Sequence, residues 1–256
     1  MRVRAARVRT KDPEAVVPEV HPGVAGPGLM PRDSGIRDLA NCPRTKPKNM
    51  RQASRPAAVF AGLVASGFLF RRFHLRWGAT AAETAGGLPG DDLLSTADLQ
   101  STRAITIEAP ADAVWPWLAQ MGQGRGGLYS YDFLENLAGL DIHSADRIHP
   151  EWQDIKVGDR FHLAPAASAD LELGLVDQGN ALVLRVPPGS PPGPFDFSWA
   201  FVLRPQSDGT TRLLVRERYT YRQWWARCLV EAVEVASFIM SRRMLHGIRS
   251  RAEGSG

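Results

Sequence analysis

The chain has 256 residues, enough for one large domain or two small ones, and its 44% apolar content can supply a real core. The net charge of +4 is unevenly spread: Met1–Pro56 holds 12 Lys/Arg against 5 Asp/Glu, and the rest of the chain holds 19 against 22. A folded nucleic-acid reader carries its basic patch on the domain, so nucleic acid is excluded as a partner. The two cysteines, Cys42 and Cys228, build neither a disulfide framework nor a cysteine zinc site.

Residues 1–49 are rich in Arg, Pro and Gly, show no apolar period, and are expected to form a disordered basic tail that could meet anionic lipid. Met50 begins a different text, resembling a natural start, followed by Ala57–Phe70 without a charge and then Arg71-Arg72. Residues 50–76 therefore read as a basic and apolar segment. Fourteen residues of helix reach roughly 21 Å, short of a hydrocarbon core of about 30 Å, although flanking Arg55, Arg71 and Arg72 could snorkel. Arginines rather than small residues follow the run, which argues against a cleaved signal peptide. Two readings stay open: contact with a membrane through Ala57–Phe70, or a helix packed on the domain. The localisation is accordingly membrane-associated or cytoplasmic.

Residues 77–253 read as the folded domain. Trp77–Gln100 is expected to be an extended lead-in that wraps it. Thr102–Glu108 alternates as a strand, with Arg103, Ile105 and Ile107 on one face. Ala109-Pro110 opens a helix with proline at its first position; Val114, Trp115, Leu118 and Met121 form its apolar stripe, and Pro116 should bend it. A short helix over Tyr131–Leu137 ends at Gly139. Four strands are predicted at Arg160–Leu163, Ala169–Val176, Ala181–Val186 and Phe195–Arg204, with a hairpin turn at Gln178-Gly179-Asn180. Ser207-Asp208-Gly209 leads into a last strand, Thr211–Tyr221.

The last two strands form a hairpin. Phe195, Phe197, Trp199, Phe201 and Leu203 share one face, and Leu213, Val215, Glu217, Tyr219 and Tyr221 share the matching face of the partner. Folding about Ser207-Asp208 sets Trp199 beside Glu217. Arg212, Arg216 and Arg218 fall on the opposite face, expected to be solvent. Arg222–Ala252 reads as one long helix with apolar positions at Trp225, Cys228, Leu229, Ala232, Val233, Ala236, Ile239, Met240, Met244 and Ile248, interrupted by Glu231 and Glu234. Cys228 is expected to be reduced and buried. The fold class is α+β, a helix-grip in which an antiparallel sheet wraps around a long C-terminal helix and leaves a cavity between them.

The stretch Thr102–Leu118 (TRAITIEAPADAVWPWL) resembles the opening of the SRPBCC, or START-like, superfamily, which includes polyketide cyclases and lipid-transfer proteins. There an I-x-A-P-x-x-x-V-W phrase, here Ile107–Trp115, marks the first strand entering the first helix. Gly122–Trp152 is similar to an actinobacterial-type branch of uncharacterised members, and the resemblance covers about Trp77–Ala252. It implies a ligand cavity between the sheet and the final helix. It does not identify the ligand, because the superfamily handles many hydrophobic molecules.

The functional expectation is binding of a hydrophobic small molecule or lipid, without cofactor or metal. Ligand contacts are expected from Phe197, Trp199, Phe201, Glu217 and Tyr219 on the sheet, from Glu231 and Glu234 on the final helix, and from Tyr129. An inward carboxylate such as Glu217 is costly unless paired, so it either faces the ligand or joins a buried pair with Arg103 or Arg185. Two alternatives remain. One is a polyketide-cyclase-like enzyme, with His143, Asp146 and Glu217 transferring protons. The other is a non-catalytic interaction module, which a filled interior would favour. Asp141, His143, Asp146, His149 and Glu151 are metal-ligand or acid–base residue types, but a loop need not bring them together. Gly122–Gly127 matches G-x-G-x-x-G yet follows a helix rather than a strand, so it reads as a flexible loop or a lid on the cavity mouth. Asp132 and Glu135, three apart, are expected on a solvated helix face.

Overall fold

Alternation along the chain produces one six-stranded antiparallel sheet in the computed structural model, which describes residues 54–163 and 170–254. The expected tail at 1–49, the start at Met50, Cys42 and Ala169 lie outside the described residues. The strands are β1 (Leu99–Ile107), β2 (Arg160–His162), β3 (Asp170–Asp177), β4 (Ala181–Arg185), β5 (Phe195–Pro205) and β6 (Thr211–Tyr221), in the spatial order β1-β6-β5-β4-β3-β2. The β5–β6 register pairs Leu203 with Leu213 and Trp199 with Glu217, as the alternation requires. The helices are α1 (Ser54–Leu75), α2 (Ala81–Ala85), α3 (Ala111–Ala119), α4 (Asp132–Leu137) and α5 (Ala226–Glu253). Pro110 is the cap of α3 rather than its first helical residue, with its carbonyl accepting from Ala113 and Val114.

The main core lies between the inner sheet face and helices α3 and α5. Ile105, Ile107, Phe201, Leu213 and Val215 from the sheet meet Val114, Leu118, Met244, Leu245 and Ile248. The opposite sheet face is not solvent. The lead-in crosses it, and Leu88 packs on Ala104, Ala181, Val202 and Leu214. The three arginines expected in water are bound there instead. Arg212 donates to both oxygens of Glu83, Arg216 to Asp91 (2.6 Å), Thr102 and the Gly86 carbonyl, and Arg218 pairs with Asp91 (3.2 Å). The Arg212 guanidinium beside Glu83 holds that carboxyl down at about 2. The lead-in thus replaces solvent with a set of fixed carboxylates and carbonyls.

Helix α5 is turned differently from its apolar pattern. Its C-terminal half buries Met244 and Ile248 as expected, but its N-terminal half buries Ala226, Val230, Glu234, Phe238 and Ser241. Trp225, Leu229, Val233, Ile239 and Cys228 are exposed, which corrects the expected burial of Cys228. The reason is polar: Arg103 from β1 is fully buried beneath this half of the helix and needs Glu234 and Ser241 to face it.

Candidate functional site

Where β5 and β6 pass under α5, the two layers stay apart. The gap is a cavity of about 820 Å³. Phe195, Phe197, Trp199, Glu217 and Tyr219 form its sheet wall, and Val233, Ser237, Met240, Ser241 and Met244 its helix wall. The proline-rich connection Pro187–Pro194 rims it, and Leu128, Ser130 and Glu135 close another side. The aromatic wall is continuous: ring centroids are 4.8 Å apart for Phe197 and Tyr219, and 6.5 Å for Phe197 and Trp199. The indole N–H of Trp199 is buried without a hydrogen-bond partner among the described residues.

Glu217 is held from two directions. Ser237 donates to both its oxygens at 2.9 Å, Ser241 donates at 3.1 Å, and Arg103 Nη1 lies 3.3 Å away. The same guanidinium binds Glu234, donates to the His74 carbonyl at 3.1 Å, and sits 5.6 Å over the Phe238 ring. One cation therefore serves two buried carboxylates. Burial, and then the Glu217 charge, raise the pKa of Glu234. Burial and the neighbouring Glu217 likewise raise Tyr219. Of the two ion-pair partners considered for Glu217, Arg103 is the one present, while Arg185 pairs with Glu172 at 2.8 Å on the neighbouring strands.

The cavity wall thus gathers Phe197, Trp199, Glu217 and Tyr219, and leaves the other candidates elsewhere. Phe201 is fully buried in the core. Glu234 is sealed against Arg103, and Glu231 reaches back to Arg71 at 2.6 Å. Tyr129 lies outside the wall, donating to the Trp117 carbonyl at 3.1 Å and accepting from Gln120; burial pushes its hydroxyl up to about 12. His143 is 79% exposed and pairs with Asp141, and Asp146 is exposed. His149 pairs with Glu151, so the loop residues do not converge, and no metal-ligating cluster forms among the described residues. Gly122–Gly127 is a tight turn closed by a Gly122–Gly127 bridge and packed against Phe161 and the His143 backbone, not a lid on the cavity.

Sequence reasoning missed Glu135. It is 2% exposed, faces the cavity, and neither carboxyl oxygen has a partner among the described residues, which overturns the solvated face expected for it. Helix α4 shows its apolar Phe133 and Leu137 to the outside instead. Its orientation is set by polar contacts. Asp132 accepts from the Ser144 backbone N–H and hydroxyl at 2.7 and 2.6 Å, and Asn136 exchanges two hydrogen bonds with the Ile142 backbone. Nothing in the local pattern signals this inversion, because its causes lie six and twelve residues further along the chain.

No protein-family model and no curated protein matches the chain. Among solved structures it is similar to a protein from Mesorhizobium loti, at 13% identity and TM-score 0.38 over 62% of this chain and 99% of that one. A protein from Nitrosomonas europaea matches at 14% identity and TM-score 0.40, over 62% and 97%. DynU16, from the dynemicin biosynthetic locus, matches at 17% identity and TM-score 0.35, over 58% and 46%.

Proposed function

We propose that the protein is an SRPBCC-type binder of a hydrophobic small molecule, held between the aromatic wall of β5–β6 and helix α5. The observation that carries this reading is the cavity itself. Its 820 Å³ lies within the usual range for small-molecule sites, and its wall is aromatic with a few fixed polar groups. A filled interior would have favoured an interaction module. Proton-transfer chemistry has less support, since the loop histidine His143 is not in the cavity wall. The Ile107–Trp115 phrase and the antiparallel sheet under a long C-terminal helix support the SRPBCC assignment.

Titration with 2-naphthylmethanol tests the reading. Saturable binding by calorimetry should accompany a change in tryptophan fluorescence that is much smaller in Trp199→Phe. Absence of saturable binding of this and similar apolar probes would reject it.

The second part of the proposal is attachment to a membrane by α1. Val59, Phe60, Leu63, Val64, Phe68 and Leu69 are all more than half exposed, and Ala58–Leu75 is long and apolar enough to cross a bilayer. The helix has 22 residues, about 33 Å, longer than the uncharged run by itself. Its C-terminal end is tied to the domain through Arg71–Glu231 and the edge-on contact of Phe73 with Phe238.

A further inference from the structure

The cavity contains four carboxylates among the described residues, and three are matched. Asp170 pairs with His162, Asp196 with Arg222, and Glu217 with Arg103 and two serines. Glu135 is buried, borders the same space, and has no partner on either oxygen among the described residues. A desolvated carboxyl left in this way costs stability unless something in the cavity answers it.

The surroundings decide what could answer it. On its own helix the nearest charge is Asp132, of the same sign. From α5, Val233, Ser237, Met240 and Met244 bring no charge to the wall, and Arg243 is placed 5.9 Å over the Tyr131 ring. From the strands come the matched acids and the exposed Arg160, which makes no hydrogen bond to Glu135, and just after β6 comes Arg222, paired with Asp196. Residues 164–169 carry no charged side chain. The partner that is missing is a cation. Resting on the ligand-binding reading above, we propose that Glu135 is an ammonium anchor, and that the cavity takes hydrophobic molecules bearing an amine in preference to those bearing a carboxylate.

Burial, and then Asp132, push Glu135 up to about 7. Around pH 6.5 the acid is therefore largely protonated. Binding an ammonium group converts it to the carboxylate and releases its proton to solvent. Above pH 8 the carboxylate is already formed and no proton is released.

Three probes with one apolar body and different polar groups test the proposal: 2-naphthylmethylamine, 2-naphthylmethanol and 2-naphthoic acid. By calorimetry at pH 8 the amine should bind about tenfold more tightly than the alcohol, the equivalent of one pKa unit, and the acid most weakly. At pH 6.5, titrations in buffers of different ionisation heat should show net proton release for the amine and none for the alcohol. Glu135→Gln should remove both the amine preference and the proton release. Equal affinities, a preference for 2-naphthoic acid, or amine binding without proton release at pH 6.5 would overturn the anchor while leaving the ligand-binding reading intact if the alcohol binds. If Glu135→Gln does not fold, the ranking and proton count of the unaltered protein decide the matter alone.

Discussion

Arg103 is the residue on which the inner polar cluster depends. It is the only cation within bonding distance of Glu217 and Glu234 among the described residues, and all three side chains are almost wholly buried. Arg103→Met should cost about 3–5 kcal/mol in urea unfolding, because it leaves two buried carboxylates facing each other. Adding Glu217→Gln and Glu234→Gln should recover much of that loss, since the uncompensated charges are gone. Glu217→Gln alone is expected to fold, because Glu234 still pairs with Arg103 and the amide keeps the shape that Ser237 and Ser241 surround. Its effect should fall on the affinity of probes in the cavity. An unfolded Glu217→Gln protein would show instead that the carboxylate is a structural necessity.

Among the elements, α5 crosses the chain before α4 at close range. At Gly247 an added methyl would lie 2.9 Å from Tyr129 Cβ and closer still to the Tyr129 carbonyl oxygen. Tyr129 itself has φ 55° and is fixed by its hydroxyl, so it cannot easily yield. Gly247→Ala should therefore destabilise by roughly 1–3 kcal/mol despite the gain in helix propensity. For α1, the full chain should co-sediment with vesicles, and Phe60→Asp with Leu63→Asp should release it without altering the melting temperature, as both side chains are exposed. Sedimentation unaffected by the double replacement, or absent from the start, would end the membrane proposal.

These elements were unequally legible in the sequence. The β5–β6 register followed from side-chain alternation, which is local and has a period of two, so Trp199 and Glu217 could be set side by side from residues alone. The N-terminal half of α5 was not legible. A helix-period pattern assumes that the apolar face is the buried one, whereas here a buried arginine from a strand more than a hundred residues away draws Glu234 and Ser241 inward. The face carrying Arg212, Arg216 and Arg218 was misread for a related reason: their partners Glu83 and Asp91 lie in a lead-in with little period of its own. Glu135 was hidden because polar contacts outside its helix turn that helix over.

Across the whole molecule, the titrating groups pull stability in opposite directions with pH. Glu83, held at about 2 by Arg212, contributes stability that is present above the ordinary glutamate range and lost as pH falls toward 2. Glu135, raised to about 7, does the reverse: folding favours its protonated form, so that contribution is full below about 4.5 and lost as pH rises through 7. Glu234, raised by burial and Glu217, acts in the same sense as Glu135. Stability of the ligand-free protein should therefore peak in mildly acid solution and decline toward pH 8, and Glu135→Gln should flatten part of the decline. A melting temperature that rises steadily from pH 5 to 8 would contradict the assignment of both acids.

The space between the sheet and α5 is proposed as a ligand site. Native mass spectrometry of the protein as it emerges from cells tests it most directly. A discrete low-mass, non-covalent adduct is expected at one per chain, extractable into organic solvent, and diminished in Met240→Trp, which narrows the cavity from the helix side. A bare mass in every preparation, together with no uptake of apolar probes by the folded protein, would contradict it.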